Sequence, residues 1–303
     1  MKYFLILVLL LVMLSCEEQR TLNGGEVTGA AEPTAEAADM VSFPSFELIG
    51  EIDDIFQHPE SVIYDSATRW LFVSNVGKNA DNAVDGDGYI SKLNIHGEII
   101  DPRWLTGLSA PRGMCIVDRI LYITDVDRVV KVALASGQVL STIGVPGAAQ
   151  LSDLEMGPDN AIYVTDTRSD KIYRVENDDL VLWAENHDWE GPSGLCRHGN
   201  QLLVTSAGGH KLLAVDLASK TTYQVADSLH QARGITLMGE DLIVGGLGGQ
   251  LYGVKAGIDF RWPLIDLEMQ RDNIADILYV PEFEVLFVPT YGGHSVLAVS
   301  VMR

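Results

Sequence analysis

The stretch Pro111-Arg112-Gly113-Met114-Cys115-Ile116, with Leu121-Tyr122-Ile123-Thr124-Asp125 and Val129-Val130-Lys131-Val132 behind it, reads as three short strands joined by tight turns. Each run is four to six residues long, carries β-branched and aromatic side chains, and is bounded by Gly, Asp or Asn. The pattern recurs downstream. Ser152-Asp153-Leu154, Ile162-Tyr163-Val164-Thr165-Asp166 and Lys171-Ile172-Tyr173-Arg174-Val175 form one further copy. Pro192-Ser193-Gly194-Leu195, Leu202-Leu203-Val204-Thr205-Ser206 and Leu212-Leu213-Ala214-Val215 form another.

Working outward, six copies begin their first strands at Glu60, Arg112, Asp153, Ser193, Arg233 and Asp276, spaced 52, 41, 40, 40 and 43 residues apart. The long first step comes from an insertion between Asn75 and Gly88. No helical period is sustained anywhere in the repeat region. A repeat near forty residues with four strands per unit is a propeller blade. The expected fold is therefore all-β, a six-bladed β-propeller over residues 46–303. The sixth copy supplies three strands and ends at Ser295-Val296-Leu297-Ala298-Val299. Its fourth is expected from Phe46-Glu47-Leu48-Ile49-Gly50, which closes the ring and removes an exposed edge.

Upstream, Met1-Lys2 and a 12-residue apolar run from Tyr3 to Leu14 are too short to span a bilayer and read as a secretory signal, residues 1–15. Met13-Leu14-Ser15-Cys16 resembles the lipobox of bacterial lipoproteins. The resemblance implies cleavage before Cys16 and a lipid on its sulfur. Residues 16–45 carry six carboxylates against the single cation Arg20, amid Gly, Ala, Thr and Pro. Such a stretch cannot bury enough apolar surface to offset chain entropy and reads as a flexible tether. The implied location is the cell envelope, anchored to a membrane and facing the periplasm or the outside.

The formal net charge is −21, most of it in the repeat domain. Nucleic-acid binding needs Lys/Arg patches and is disfavoured. Besides Cys16 there are only Cys115 and Cys196, at matching positions two blades apart, which favours buried thiols over a bridge.

The segments His58-Pro59-Glu60-Ser61-Val62, Pro111-Arg112-Gly113-Met114, Leu151-Ser152-Asp153-Leu154, Gly191-Pro192-Ser193-Gly194-Leu195 and Ala232-Arg233-Gly234-Ile235 resemble the superfamily of gluconolactonase, regucalcin-type lactonases and NHL-repeat propellers. That resemblance implies one divalent cation at the channel mouth, held by a Glu, an Asn and an Asp. The Glu position holds Glu60, the Asn position Ser193 and the Asp position Arg233. Of the three ligand positions only Glu60 keeps the family residue; the activity implied is metal-dependent hydrolysis of lactones or related esters, in which Glu60 and Asp153 would hold the metal.

Independently of any family, first strands that all start on one face place Glu60, Arg112, Asp153, Ser193, Arg233 and Asp276 in a ring. Arg112 is expected opposite Arg233, and Asp153 opposite Asp276. Two opposed guanidiniums suit a carboxylate or phosphate ligand, with the acidic residues orienting its hydroxyls. The same charges can instead pair with one another and plug the mouth. Three functions follow: a binding protein for a small polar or anionic molecule or a partner, the metal-dependent hydrolase, or a scaffold for other envelope proteins. The loops bring Asn75, Asp125, Asp166, Arg168, His210, Tyr291 and His294 to the same face, and His187-Asp188-Trp189-Glu190 offers an aromatic wall. Asp81-Asn82-Ala83-Val84-Asp85-Gly86-Asp87-Gly88 resembles a calcium loop through Asp81, Asp85 and Asp87, although Lys92 stands where an EF-hand carries its distal Glu. A divalent cation such as calcium is thus the cofactor candidate, and no catalytic residue is assigned. Gly245-Gly246-Leu247-Gly248-Gly249 lacks a phosphate loop's Gly-Lys-Ser/Thr ending and fits a tight turn.

Overall fold

The computed structural model describes residues 44–53, 55–79, 84–255, 261–266 (backbone only) and 273–302. The signal peptide, Cys16, the tether up to residue 43, and Asp81 lie outside the described residues. No helix among the described residues is long and apolar enough to cross a membrane.

Six four-stranded antiparallel sheets follow one another along the chain. The first comprises Pro59–Asp65, Trp70–Asn75, Gly88–Asn94 and Ile99–Leu108, innermost strand first. The other inner strands are Pro111–Val117, Leu151–Met156, Pro192–His198, Ala232–Met238 and Leu278–Val280. The sixth sheet is completed as expected: Ser45–Ile52 pairs with Ser295–Met302, with Phe46 opposite Val301 and Ile52 opposite Val296. First and last segments thus share one sheet, and the fold is a closed six-bladed propeller. The Gly-rich stretch after Val244 is a turn between Asp241–Gly246 and Gln250–Lys255.

Middle strands lie between neighbouring blades and bury both faces, as at Ile162–Asp166. The apolar clusters accordingly span blade pairs. Phe72 and Ile90 of blade 1 pack with Met114, Leu121 and Ile123 of blade 2; Leu203 and Leu212 of blade 4 pack with Ile235 and Leu242 of blade 5. Burying these side chains is the main favourable term in holding the blades together.

Buried polar groups add specificity to the stacking. Thr124 Oγ1 donates to the Ser152 carbonyl at 2.7 Å, Thr165 Oγ1 to the Ser193 carbonyl at 2.6 Å, and Thr205 Oγ1 to the Arg233 carbonyl at 2.6 Å. All three threonines are fully buried and each reaches into the next blade. The residues that end the second strands hold the chain entering their own blade. Asp125 accepts from the Ser109 and Ala110 N–H groups, Asp166 from Ala149 and Gln150, and Asn75 from Gln57. These bonds satisfy backbone donors that would otherwise be buried unpaired.

Near the axis the inner strands leave no room for side chains at some positions. A Cβ on Gly194 would lie 2.1 Å from the Arg233 carbonyl oxygen, whereas one on Gly144, on an outer strand, would meet nothing within 4 Å. Gly194→Ala is therefore expected to destabilise the domain by about 1–3 kcal/mol, while Gly144→Ala stays within about 0.5 kcal/mol of the parent. Urea unfolding midpoints of the two variants check this.

Candidate functional site at the channel mouth

Every blade enters the axis through the same irregularity. Pro59 pairs with Asn75, Pro111 with Asp125, Leu151 with Asp166, Pro192 with Ser206 and Ala232 with Gly246. The register then slips by one residue before regular pairing resumes. In blade 6 the bridge from Ile274 to Thr290, followed by Leu278 opposite Phe287, shows the same slip. A bulge adds a residue to one strand and re-aims the side chains around it. Counted from these entry residues, the first level of the mouth holds Glu60, Arg112, Ser152, Ser193, Arg233 and Ala275. The next level holds Ser61, Gly113, Asp153, Gly194, Gly234 and Asp276.

The six residues expected in one ring therefore occupy two levels. Glu60, Arg112, Ser193 and Arg233 share the first; Asp153 and Asp276 sit one residue deeper. The reason is space. Asp153 Oδ1 lies where a Cβ of Gly113 would be, 2.5 Å from it, and Asp276 Cα lies 2.7 Å from a Cβ placed on Gly234. Glycines in neighbouring blades leave the volume that the two aspartates fill. Asp153 and Asp276 are three blades apart, as are Arg112 and Arg233, as the repeat count predicts.

The charges are largely satisfied internally. Arg112 Nη1 donates to Glu60 Oε1 at 3.2 Å, and both side chains are buried. Asp153 accepts from the Leu154 and Leu195 N–H groups at 2.8 and 2.7 Å. Asp276 accepts from the Ile277 N–H and from Ser61 Oγ at 2.8 and 2.6 Å. Burial, and then each other's charge in the case of Asp153, raises the pKa of both aspartates. Burial also outweighs Arg112 and Arg233 at Glu60 and raises its pKa. The space left on the axis is about 10 Å³, bordered by Glu60, Asp153, Ser193, Arg233 and Asp276. That is room for about one water molecule.

Arg233 differs from the rest. It is partly buried, and although its Nε is enclosed without a hydrogen-bond partner just as that of Arg112 is, its guanidinium makes no side-chain hydrogen bond among the described residues. Burial lowers its pKa, with Glu60 opposing and Arg112 reinforcing the shift.

These residues do not fit a divalent cation. Glu60 is already in an ion pair, both Asp153 oxygens accept backbone N–H groups one level deeper, and two guanidiniums would repel the ion. Among the described residues, no three His, Cys, Asp or Glu side chains come together as metal ligands. In the insertion, Asp85 accepts from Asn79 Nδ2 and the Asp87 N–H, and Asp87 accepts from the Lys78 N–H. Their carboxylates shape the loop, while Asp81 is outside the described residues.

The rim is built differently from its sequence reading. Asn75, Asp125 and Asp166 are fully buried and bonded to backbone, so they face no ligand. Trp189 is in the core, its Nε1 donating to Thr222 Oγ1 at 3.0 Å, and forms no aromatic wall. Arg168 is exposed. His294 Nδ1 accepts the His58 N–H at 3.0 Å, and His210 Nδ1 accepts the Gln231 N–H at 2.9 Å. Each Gly-Gly-His loop thus grips the chain entering the following blade. Each also packs against a second imidazole, His58 at 4.5 Å and His230 at 5.5 Å between centroids. Sequence reasoning missed His58; its place one residue before the entry Pro59 was the available signal. A hollow of about 600 Å³ opens beside it, bordered by Asp53, Gln57, His58, Lys78 and His294.

Farther along the inner strands lie Glu155, Cys115 and Cys196. Both thiols are free, and burial with the nearby Glu155 raises their pKa. Burial holds the Glu155 pKa at about 7, from 4.5. A carboxyl that binds its proton more tightly when folded stabilises the protein at low pH and loses that contribution as pH rises through the folded value. Glu155→Gln should match the parent near pH 4.5 and exceed its stability by on the order of 2 kcal/mol above pH 7. Chemical unfolding at the two pH values measures the difference.

No protein-family model and no curated protein matches the chain. Solved structures do. A protein described as a gluconolactonase candidate superposes with a TM-score of 0.67 at 14% identity, over 85% of this chain and 92% of its own. A catalytically inactive variant of virginiamycin B lyase from Staphylococcus aureus, crystallised with quinupristin, gives 0.59 at 14% identity over 85% and 100%. A streptogramin B lyase gives 0.59 at 14% identity over 84% and 98%. The resemblance to gluconolactonase-like propellers therefore holds at the level of fold, and the chain is a six-bladed propeller of that architecture.

Proposed function

We propose that the protein is a lipid-anchored, envelope-located propeller that binds a small anionic molecule at the channel mouth through Arg233. The observation that carries this reading is Arg233, half-buried at the mouth, whose Nε is enclosed without a hydrogen-bond partner and whose guanidinium makes no side-chain hydrogen bond among the described residues. An enclosed Nε–H without a partner is costly, and an anion offering two oxygens satisfies the planar fork. The ring as a whole favours a small charged headgroup, since the axial space admits about one water and the ligand's body must lie outward. Metal-dependent hydrolysis of lactones or esters loses support because the donor set fits no divalent ion. A purely structural plug explains Arg112, which Glu60 pairs, but leaves Arg233 unexplained.

The panel that tests binding is acetate, other short carboxylates and inorganic phosphate, titrated calorimetrically into the domain and into Arg233→Gln. One charge-assisted hydrogen-bond pair is worth about 1.5–3 kcal/mol, so the variant should lose roughly tenfold or more in affinity. Equal binding by both proteins removes the reading. The anchor rests on Met13-Leu14-Ser15-Cys16. Expressed in a bacterial host with labelled fatty acid, the parent should carry label in the membrane fraction, and Cys16→Ser should carry none.

A further inference from the structure

We propose that His58 reads a hydroxyl on the bound anion, so that the ligand class of the mouth is a small hydroxycarboxylate; this rests on Arg233 holding the carboxylate. The axial acids cannot read that hydroxyl. Asp153 and Asp276 have their oxygens committed to N–H groups and Ser61, and Glu60 is tied to Arg112. The hollow of about 600 Å³ that His58 borders is large enough for a small molecule.

Hydrogen bonding fixes what His58 offers. Its Nδ1 lies 2.8 Å from the Gly77 carbonyl oxygen. A carbonyl only accepts, so Nδ1 carries the hydrogen and Nε2 of the neutral ring presents a lone pair. Nε2 has no protein partner among the described residues and is reached by solvent. A hydroxyl is the ligand group that donates to it. The ring is held against Tyr291 at 5.0 Å and His294 at 4.5 Å, while its own backbone N–H bonds His294. Two residues after His58 the chain reaches Glu60, which borders the axial space together with Arg233, so His58 stands where the chain enters the anion site.

The test compares terminal hydroxy acids of increasing length, glycolate upwards, with the matching unsubstituted acids, acetate upwards. Binding is measured calorimetrically to the parent, His58→Gly and Arg233→Gln. Glycine suits position 58 because its φ of 51° is one that other residues adopt at a cost. The parent should prefer one hydroxy acid over its plain counterpart by about fivefold, the worth of one ordinary hydrogen bond. His58→Gly should bind both acids alike. Imidazole nitrogen resonances of the parent should show His58 as the Nδ1–H tautomer. Plain acids bound as well as hydroxy acids by the parent, with the Arg233 effect intact, would overturn the hydroxyl assignment alone. A preference that persists in His58→Gly would overturn it equally. Loss of all acid binding in the parent would instead sink the Arg233 reading.

Discussion

Crowding at the axis is the constraint on which the rest of the structure depends. Six inner strands converge there, and side chains that are tolerable on an outer strand cannot be placed at Gly113, Gly194 or Gly234. The one-residue bulge at each entry turns the strand into the channel and decides which side chain faces the mouth and which falls below it. The threonine bonds from Thr124, Thr165 and Thr205 then fix the spacing between consecutive blades at the same depth. Closure by Ser45–Ile52, the outermost strand of the sixth sheet, ties the first segment of the domain to the last.

Charge follows from that geometry. Where glycines make room, aspartates fill it, and they are kept in place by backbone N–H groups and Ser61. The arginines above them oppose each other and divide unequally: Arg112 is bound to Glu60, while Arg233, bordering the axial space, makes no side-chain hydrogen bond among the described residues. A buried network of this kind is costly when one partner is missing. The same charges that disfavour a divalent cation underlie the proposal of an anionic ligand. The axial space admits about one water, whereas the hollow beside His58 is far larger.

Much of this was legible along the chain. The forty-residue recurrence, the six copies and the closing role of Phe46–Gly50 are local signals, because strand periodicity and turn residues act over a few positions. The depth of Asp153 and Asp276 was not legible from charge spacing. Aligning on the polar residue that ends each second strand, such as Asp125, Asp166 or Ser206, would have revealed the offset, since that residue pairs with the entry position. Asn75, Asp125 and Asp166 look like ligand-facing groups in sequence. Buried backbone donors compete for the same oxygens and win, because leaving them unpaired costs more than forgoing a solvent contact. Trp189 went inward for the corresponding apolar reason.

The sequence by itself determined the repeat, its number, the all-β class and the residue types gathered at the channel mouth. Those properties depend on short-range pattern and on counting. Only the tertiary structure decided which charges are paired, which level each occupies, and that Arg233 and the Nε2 of His58 remain available. Partnering is settled by atoms from blades far apart in the chain, across distances that no local pattern encodes.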